Sequence, residues 1–140
     1  MRWHFAAIFV AVFLTLITAC ETLGPDSNSS ADFERRGAKV VELDRTIIDD
    51  VSCIDGDKTD WKRFSIEKPS RVAITFAFDD PAAGGIVAIH YASGALMKRV
   101  NSIPNSRTTQ EIDVDSGFYY LEITCQAYKS EYTLEVSIVR

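Results

Sequence analysis

The chain has 140 residues, with 15 basic and 20 acidic side chains and a formal net charge of −5. A protein that grips a phosphate backbone needs a basic patch, and no run of Lys and Arg supplies one, so nucleic acid is disfavoured as a partner. The length suits a single domain with one core.

The N-terminal stretch sets the expected address. Met1-Arg2-Trp3-His4 places a short cationic head before an apolar run from residue 5 to residue 19, the pattern of a secretory signal covering residues 1–19. An uncleaved span is the alternative, but crossing a hydrocarbon core takes about 20 apolar residues and this run falls short. Ile17-Thr18-Ala19-Cys20 resembles the lipobox of bacterial lipoproteins. The resemblance implies that Cys20 receives a thioether-linked diacylglycerol and becomes the new N-terminus, so that the membrane is a partner through lipid and not through a span. In such lipoproteins an aspartate after the cysteine favours inner-membrane retention. Glu21 stands here instead, which implies the outer membrane.

Cleavage would remove Arg2, leaving 14 basic against 20 acidic side chains and a charge of −6. It would also leave two of the three cysteines, Cys53 and Cys125, in a compartment that oxidises thiols. They are expected to pair; two buried free thiols are the alternative. The bridge would close a loop of about 70 residues, for which the chain-entropy model gives roughly 4 kcal/mol.

Residues 20–39 read as the lipidated cysteine and a tether, because Thr22-Leu23-Gly24-Pro25-Asp26-Ser27-Asn28-Ser29-Ser30 is polar and turn-forming. Residues 40–140 read as the folded domain. Period-two alternation dominates there. In residues 71–78 Val72, Ile74, Phe76 and Phe78 share one face, and Asp79-Asp80-Pro81 ends the run. Val87, Ile89 and Tyr91 alternate with Ala88 and His90 up to Ser93-Gly94. Residues 96–100 follow, then residues 108–114 with Gln110, Ile112 and Val114 on one side. Tyr119, Leu121, Ile123 and Cys125 oppose Phe118, Tyr120, Glu122 and Thr124. Tyr132, Leu134, Val136 and Ile138 close the chain. Short alternating strands between turns, about ten residues apart, predict an all-β fold, an antiparallel β-sandwich. Trp61, Phe64, Phe76, Phe78, Tyr91, Tyr119 and Tyr132 are assigned to the core.

The stretch Asp57-Lys58-Thr59-Asp60-Trp61-Lys62-Arg63-Phe64-Ser65-Ile66, the strand at 72–78 with Asp79-Asp80-Pro81, Val87-Ala88-Ile89, Ser116-Gly117-Phe118-Tyr119-Tyr120-Leu121-Glu122-Ile123 and Glu131-Tyr132-Thr133-Leu134-Glu135-Val136 together resemble the bacterial pre-peptidase C-terminal domain over roughly residues 46–139. The resemblance implies a jelly-roll-like sandwich of about eight strands, used as an accessory module on secreted peptidases and also alone in lipoproteins. Some members bind calcium through early-loop acids and adhere to collagen or polysaccharide through exposed rings. Asp57 and Asp60 stand where one acidic pair of that calcium site stands. The further Glu- and Asn-rich ligand segment is not recognisable around residues 41–50, and calcium takes six to eight oxygens. A solvated acidic loop, or Asp60 in a turn holding Trp61, is the alternative.

Catalytic constellations are not legible. His90 is the one histidine of the expected mature chain and reads as a surface or edge residue, since a triad or zinc site needs more. Asp49-Asp50 and Asp79-Asp80 are sequence neighbours, which a strand sends to opposite faces. Phe118, Tyr120 and Tyr128 are the rings left for an outer face and form the candidate binding face, with packing under a neighbouring loop as the alternative; a shallow groove lined by Tyr120 and Tyr128 would favour ligand binding. The chain therefore reads as a non-enzymatic, lipid-anchored binding module touching an envelope protein or polysaccharide. A structural subunit of an envelope complex is the rival.

Overall fold

In the strand Thr59–Ile66 the inward positions are Asp60, Lys62, Phe64 and Ile66, all buried, while Trp61, Arg63 and Ser65 point outward. This strand is β3 of nine in a computed structural model that describes residues 31–140. The others are β1 (Lys39–Val40), β2 (Thr46–Ser52), β4 (Ser70–Phe78), β5 (Gly85–Tyr91), β6 (Leu96–Asn101), β7 (Thr108–Val114), β8 (Gly117–Cys125) and β9 (Lys129–Ile138). Two sheets form the sandwich, one ordered β1-β3-β8-β5-β6 and the other β2-β9-β4-β7. Every pairing is antiparallel except β1 with β3. The all-β sandwich expected from the alternation is the observed fold.

The inner faces interdigitate into one core. Val72, Ile74 and Phe76 of β4, Leu134 and Val136 of β9, Val87 and Ile89 of β5, and Leu121 and Ile123 of β8 are each at most 1 % exposed. Burying one such aliphatic side chain contributes about 1.5–3 kcal/mol, so these residues hold the two sheets together. The Cys53–Cys125 disulfide adds a covalent tie from the end of β2 in one sheet to the end of β8 in the other. Tyr119 packs on Phe64 at 5.5 Å between ring centroids and donates its hydroxyl to the carbonyl of Asp115, which pins the corner where the chain enters β8.

Two rings assigned to the core lie elsewhere. Trp61 is half-buried on the outer face, because strand alternation cannot send both residue 61 and residue 64 inward and Phe64 is at 1 % exposure. Tyr91 is opposite Tyr119 in register and meets its ring at 6.4 Å, but it is the last residue of β5 and is 46 % exposed at the open end of the sandwich.

The expected tether is also corrected at its far end. Residues 31–39 are built into the fold: Ala31–Phe33 and Arg35–Gly37 form 3₁₀ turns, Asp32 is fully buried, and Lys39 opens β1 beside β3. The local composition is polar and loop-like, but a single long-range ion pair overrides it. Cys20, the signal and residues 20–30 lie outside the described residues.

Candidate functional site

Two constellations stand out, one inside the sandwich and one on its surface. The inner one surrounds Lys62, whose side chain is fully buried. Its ammonium donates to Asp32 Oδ2 and to Asp49 Oδ2, each at 2.5 Å, and lies 3.3 Å from Asp60 Oδ2. Lys39 adds a second cation, 3.2 Å from Asp32 and 3.3 Å from Asp49. Tyr132, from β9 of the opposite sheet, donates its hydroxyl to Asp60 at 2.6 Å. A charge taken out of water must be paired and hydrogen-bonded; here three carboxylates surround the Lys62 ammonium, and the Tyr132 phenol satisfies one of those carboxylates, Asp60. The cluster fastens the segment before β1, the edge strand β2 of one sheet and β3 of the other to one another.

Burial by itself would raise Asp32, but the hydrogen bond and charge of Lys62, then those of Lys39, outweigh it and hold its carboxyl below the ordinary range. Asp49 is lowered in the same way. For Asp60 burial wins over Lys62 and Tyr132, and its carboxyl is pushed up to about 6. Burial would lower Lys62, yet the charge of Asp60 and the bonds to Asp32 and Asp49 raise it.

The signs give a pH prediction. Asp60 binds its proton more tightly in the folded state than in the unfolded chain, so its contribution is full below about pH 4 and is lost as pH rises through about 6. Asp32 and Asp49, being lowered, contribute above their unfolded value and lose it as pH falls. Stability from the cluster is therefore expected to be greatest near pH 4 and to fall between about pH 4 and 6. Urea midpoints measured across pH 4–8 should fall on the alkaline side, and Asp60→Asn should remove that slope; an unchanged slope in Asp60→Asn would refute the assignment.

The surface constellation lies on the outer face of the five-stranded sheet. The register Arg63↔Tyr120 and Ser65↔Phe118 sets β8 beside β3, and His90↔Tyr120 sets β5 on the other side. Phe118 is 44 % exposed, and its ring meets Tyr120 edge-on at 5.7 Å. Tyr120 in turn meets Trp61 at 6.3 Å, and Trp61 lies 5.1 Å from the ring of His90. The Arg35 guanidinium lies 5.6 Å above Tyr120 and packs against Gly94, where φ is +90° and any Cβ would collide with it. A shallow recess lined by Ile86, Ala88, Arg99, Glu122 and Thr124 continues the same face.

No family model matches the chain, and no curated protein matches it. Among solved structures, the pre-peptidase C-terminal domain of a collagenase from Bacillus anthracis is similar with a TM-score of 0.61 at 22 % identity, covering 71 % of this chain and 93 % of that one. The chain has the fold of a pre-peptidase C-terminal domain. A periplasmic inhibitor of g-type lysozyme from Aeromonas hydrophila follows at a TM-score of 0.49, 9 % identity and coverage of 73 % and 96 %. A carbohydrate-binding module of a Cellvibrio mixtus lichenase, solved with cellotriose, stands at 0.42, 14 % and coverage of 71 % and 91 %. These two are too distant to bear on the reading.

Of the expected calcium pair in this pre-peptidase-type sandwich, Asp60 but not Asp57 joins a converging group of carboxylates among the described residues. The carboxylates that converge within 4.8 Å are those of Asp32, Asp49 and Asp60, and Asp57 is not among them. Asp57 is buried at 1 % exposure, and its backbone carbonyl accepts from Ser52 at 2.6 Å. The centre of the converging group is taken by the Lys62 ammonium, so a divalent ion would meet a cation at bonding distance. These residues do not fit calcium.

The expected binding face is split. Phe118 and Tyr120 are neighbours on one face, but Tyr128 lies beyond the far end of β8, past Cys125, where its carbonyl accepts from Cys53. Five residue steps of strand separate Tyr120 from Cys125, about 17 Å, which sets Tyr128 apart from the other two rings. Tyr128 instead shares the disulfide-bound end with Ile54, the two being 57 % and 68 % exposed. His90 lies on the outer face as expected but is only 8 % exposed, bonded to Glu122 Oε2 at 2.9 Å and to the Gly94 carbonyl at 3.2 Å.

Sequence reasoning missed Lys62 and Trp61. Both were marked by parity: Asp60 and Lys62 alternate with Trp61 on a strand whose later inward residues are Phe64 and Ile66. Charges at inward positions require partners. The partners themselves, 30 and 13 residues away, carried no signal in the sequence.

Proposed function

We propose that the chain is a lipid-anchored, non-catalytic binding module of the bacterial cell envelope, held at the outer membrane by acylated Cys20 and working through the outer face of its five-stranded sheet. The observation that carries the reading is the row Phe118–Tyr120–Trp61, edge-on rings on the outer face of the five-stranded sheet with Phe118 open to solvent. Rings of this kind offer large, rigid contact area at little entropic cost. Flanking arginines and Glu122 add polar contacts around them. An envelope protein and a glycan are the partner classes this face suits.

The test is affinity capture from envelope membranes with the native acylated protein, set beside a Phe118→Ser/Tyr120→Ser variant, with mass spectrometry of the captured material and of the N-terminal peptide. Capture that drops at least about tenfold in the variant is expected, as for loss of a ring pair at a contact centre. Equal capture by both proteins would discard this face, and an unmodified residue 20 would discard the anchor.

A further inference from the structure

The two outer faces of the sandwich differ in charge. On the five-stranded sheet, Arg63 and Arg99 stand against Glu122, and the overlying turn adds Arg35 and Arg36 against Glu34, for a net of +2. On the four-stranded sheet, Asp50, Glu111, Asp113, Glu131 and Glu135 stand against Arg71, Lys129 and Arg107, the last 3.9 Å from Glu135, for a net of −2. In a chain of net charge −5, the anions of these two faces gather on the four-stranded sheet, five against two, and leave the face that carries the rings net positive.

That face is also where the chain arrives. Asp32 is locked to Lys62 of β3, and Arg35 lies over Tyr120 of β8, so the first described residues run beside the rings. Ten residues, 21–30, separate Cys20 from Ala31, and even fully extended they span no more than about 40 Å. An acyl group on Cys20 therefore confines this face to the neighbourhood of the bilayer at high effective concentration. Amphipathic rings settle at the headgroup level, and exposed arginines are drawn to anionic lipid.

We infer that the ring-and-arginine face docks on the anionic headgroup layer of the membrane that holds the anchor, turning the acidic four-stranded sheet toward the aqueous side. The inference rests on the acylation of Cys20 proposed above and names the partner of that same face. Phe118, Tyr120 and Trp61 enter the headgroup region, while Arg36 and Arg63 pair with lipid phosphates. Arg36 is bonded through Nε to Glu34, and its side chain is 84 % exposed, so the outer guanidinium nitrogens are the ones that meet a phosphate.

Trp61 reports directly on this contact, because the only other tryptophan, Trp3, lies in the signal segment. The experiment reconstitutes the native acylated protein into phosphatidylcholine vesicles with and without phosphatidylglycerol, carrying bromine near the headgroup, and reads Trp61 fluorescence. Quenching is expected in the anionic vesicles and should weaken in high salt. The variant Arg36→Gln/Arg63→Gln should lower the docked-to-undocked ratio by on the order of tenfold, while Arg63→Lys retains docking. Vesicle flotation and the mass of the N-terminal peptide report the anchor separately. Protein that floats with Trp61 unquenched overturns the docking and leaves the anchor standing. If residue 20 is unmodified, the same chain is titrated with free anionic vesicles; quenching then upholds the face without the anchor, and none overturns both. Protection of Trp61 by a soluble glycan or protein, with no effect of lipid charge, also overturns it in favour of that ligand.

Discussion

Replacing Lys62 with methionine is expected to destabilise the domain by about 3–5 kcal/mol, because removing one member of a buried ion cluster leaves the others uncompensated. Asp32 and Asp60 would remain at 0 % and 2 % exposure, with Asp49 within 4.8 Å of both and no ammonium among them. Lys39 still reaches Asp32 and Asp49 from the edge, which favours the lower end of that range. Two further readouts separate the cluster from simple loss of packing. The deficit should shrink as pH is lowered toward 4.5, since carboxylates without their cation take up protons more readily. Backbone amides of residues 31–38 should exchange faster, because the bond from Asp32 to Lys62 secures that segment. A triple variant, Lys62→Met with Asp32→Asn and Asp60→Asn, should recover part of the loss, as replacing a whole buried charge group costs far less than breaking it. A urea-derived loss below about 1 kcal/mol for Lys62→Met would show that the cluster is not the fastening inferred here.

Removing the disulfide has the other large expected effect. Cys53 and Cys125 are 72 residues apart in sequence, and freeing a loop of that size returns about 4 kcal/mol of chain entropy to the unfolded state. The bridge also joins β2 of one sheet to β8 of the other, where Cys53 donates to the Tyr128 carbonyl at 2.7 Å. Cys53→Ala/Cys125→Ala is the cleaner test, since alanine places no new hydroxyl in the core beside Cys125, which is 5 % exposed. Its urea midpoint should fall to match that of the reduced native chain, and the exposed end around Ile54 and Tyr128 should become the first site of proteolysis. Coincident midpoints for oxidised and reduced native protein would show that the bridge contributes nothing to the fold.

These two effects divide along what was legible beforehand. The disulfide follows from counting cysteines in an oxidising compartment, and the strands follow from alternation: Val72 to Phe78 and Tyr132 to Val136 point inward as their period requires. The face carrying Phe118 and Tyr120 was legible for the same reason, being opposite Tyr119 and Leu121. Trp61 was misplaced because hydrophobicity was weighed ahead of parity. Tyr128 was grouped with Tyr120 because both are unassigned rings, although a strand's length lies between them.

Composition and periodicity by themselves determined the class of fold and the inward residues of most strands, since those depend on local spacing, while the pairing of Cys53 with Cys125 was expected only once the lipobox resemblance set Cys20 apart. Only the tertiary structure decided that Lys62 draws Asp32, Asp49 and Asp60 around it, that the segment at 31–39 belongs to the domain, and that rings and arginines share one face. Such groupings arise where chain segments distant in sequence meet, and the sign and solvation of a charge depend on those neighbours rather than on its position along the chain.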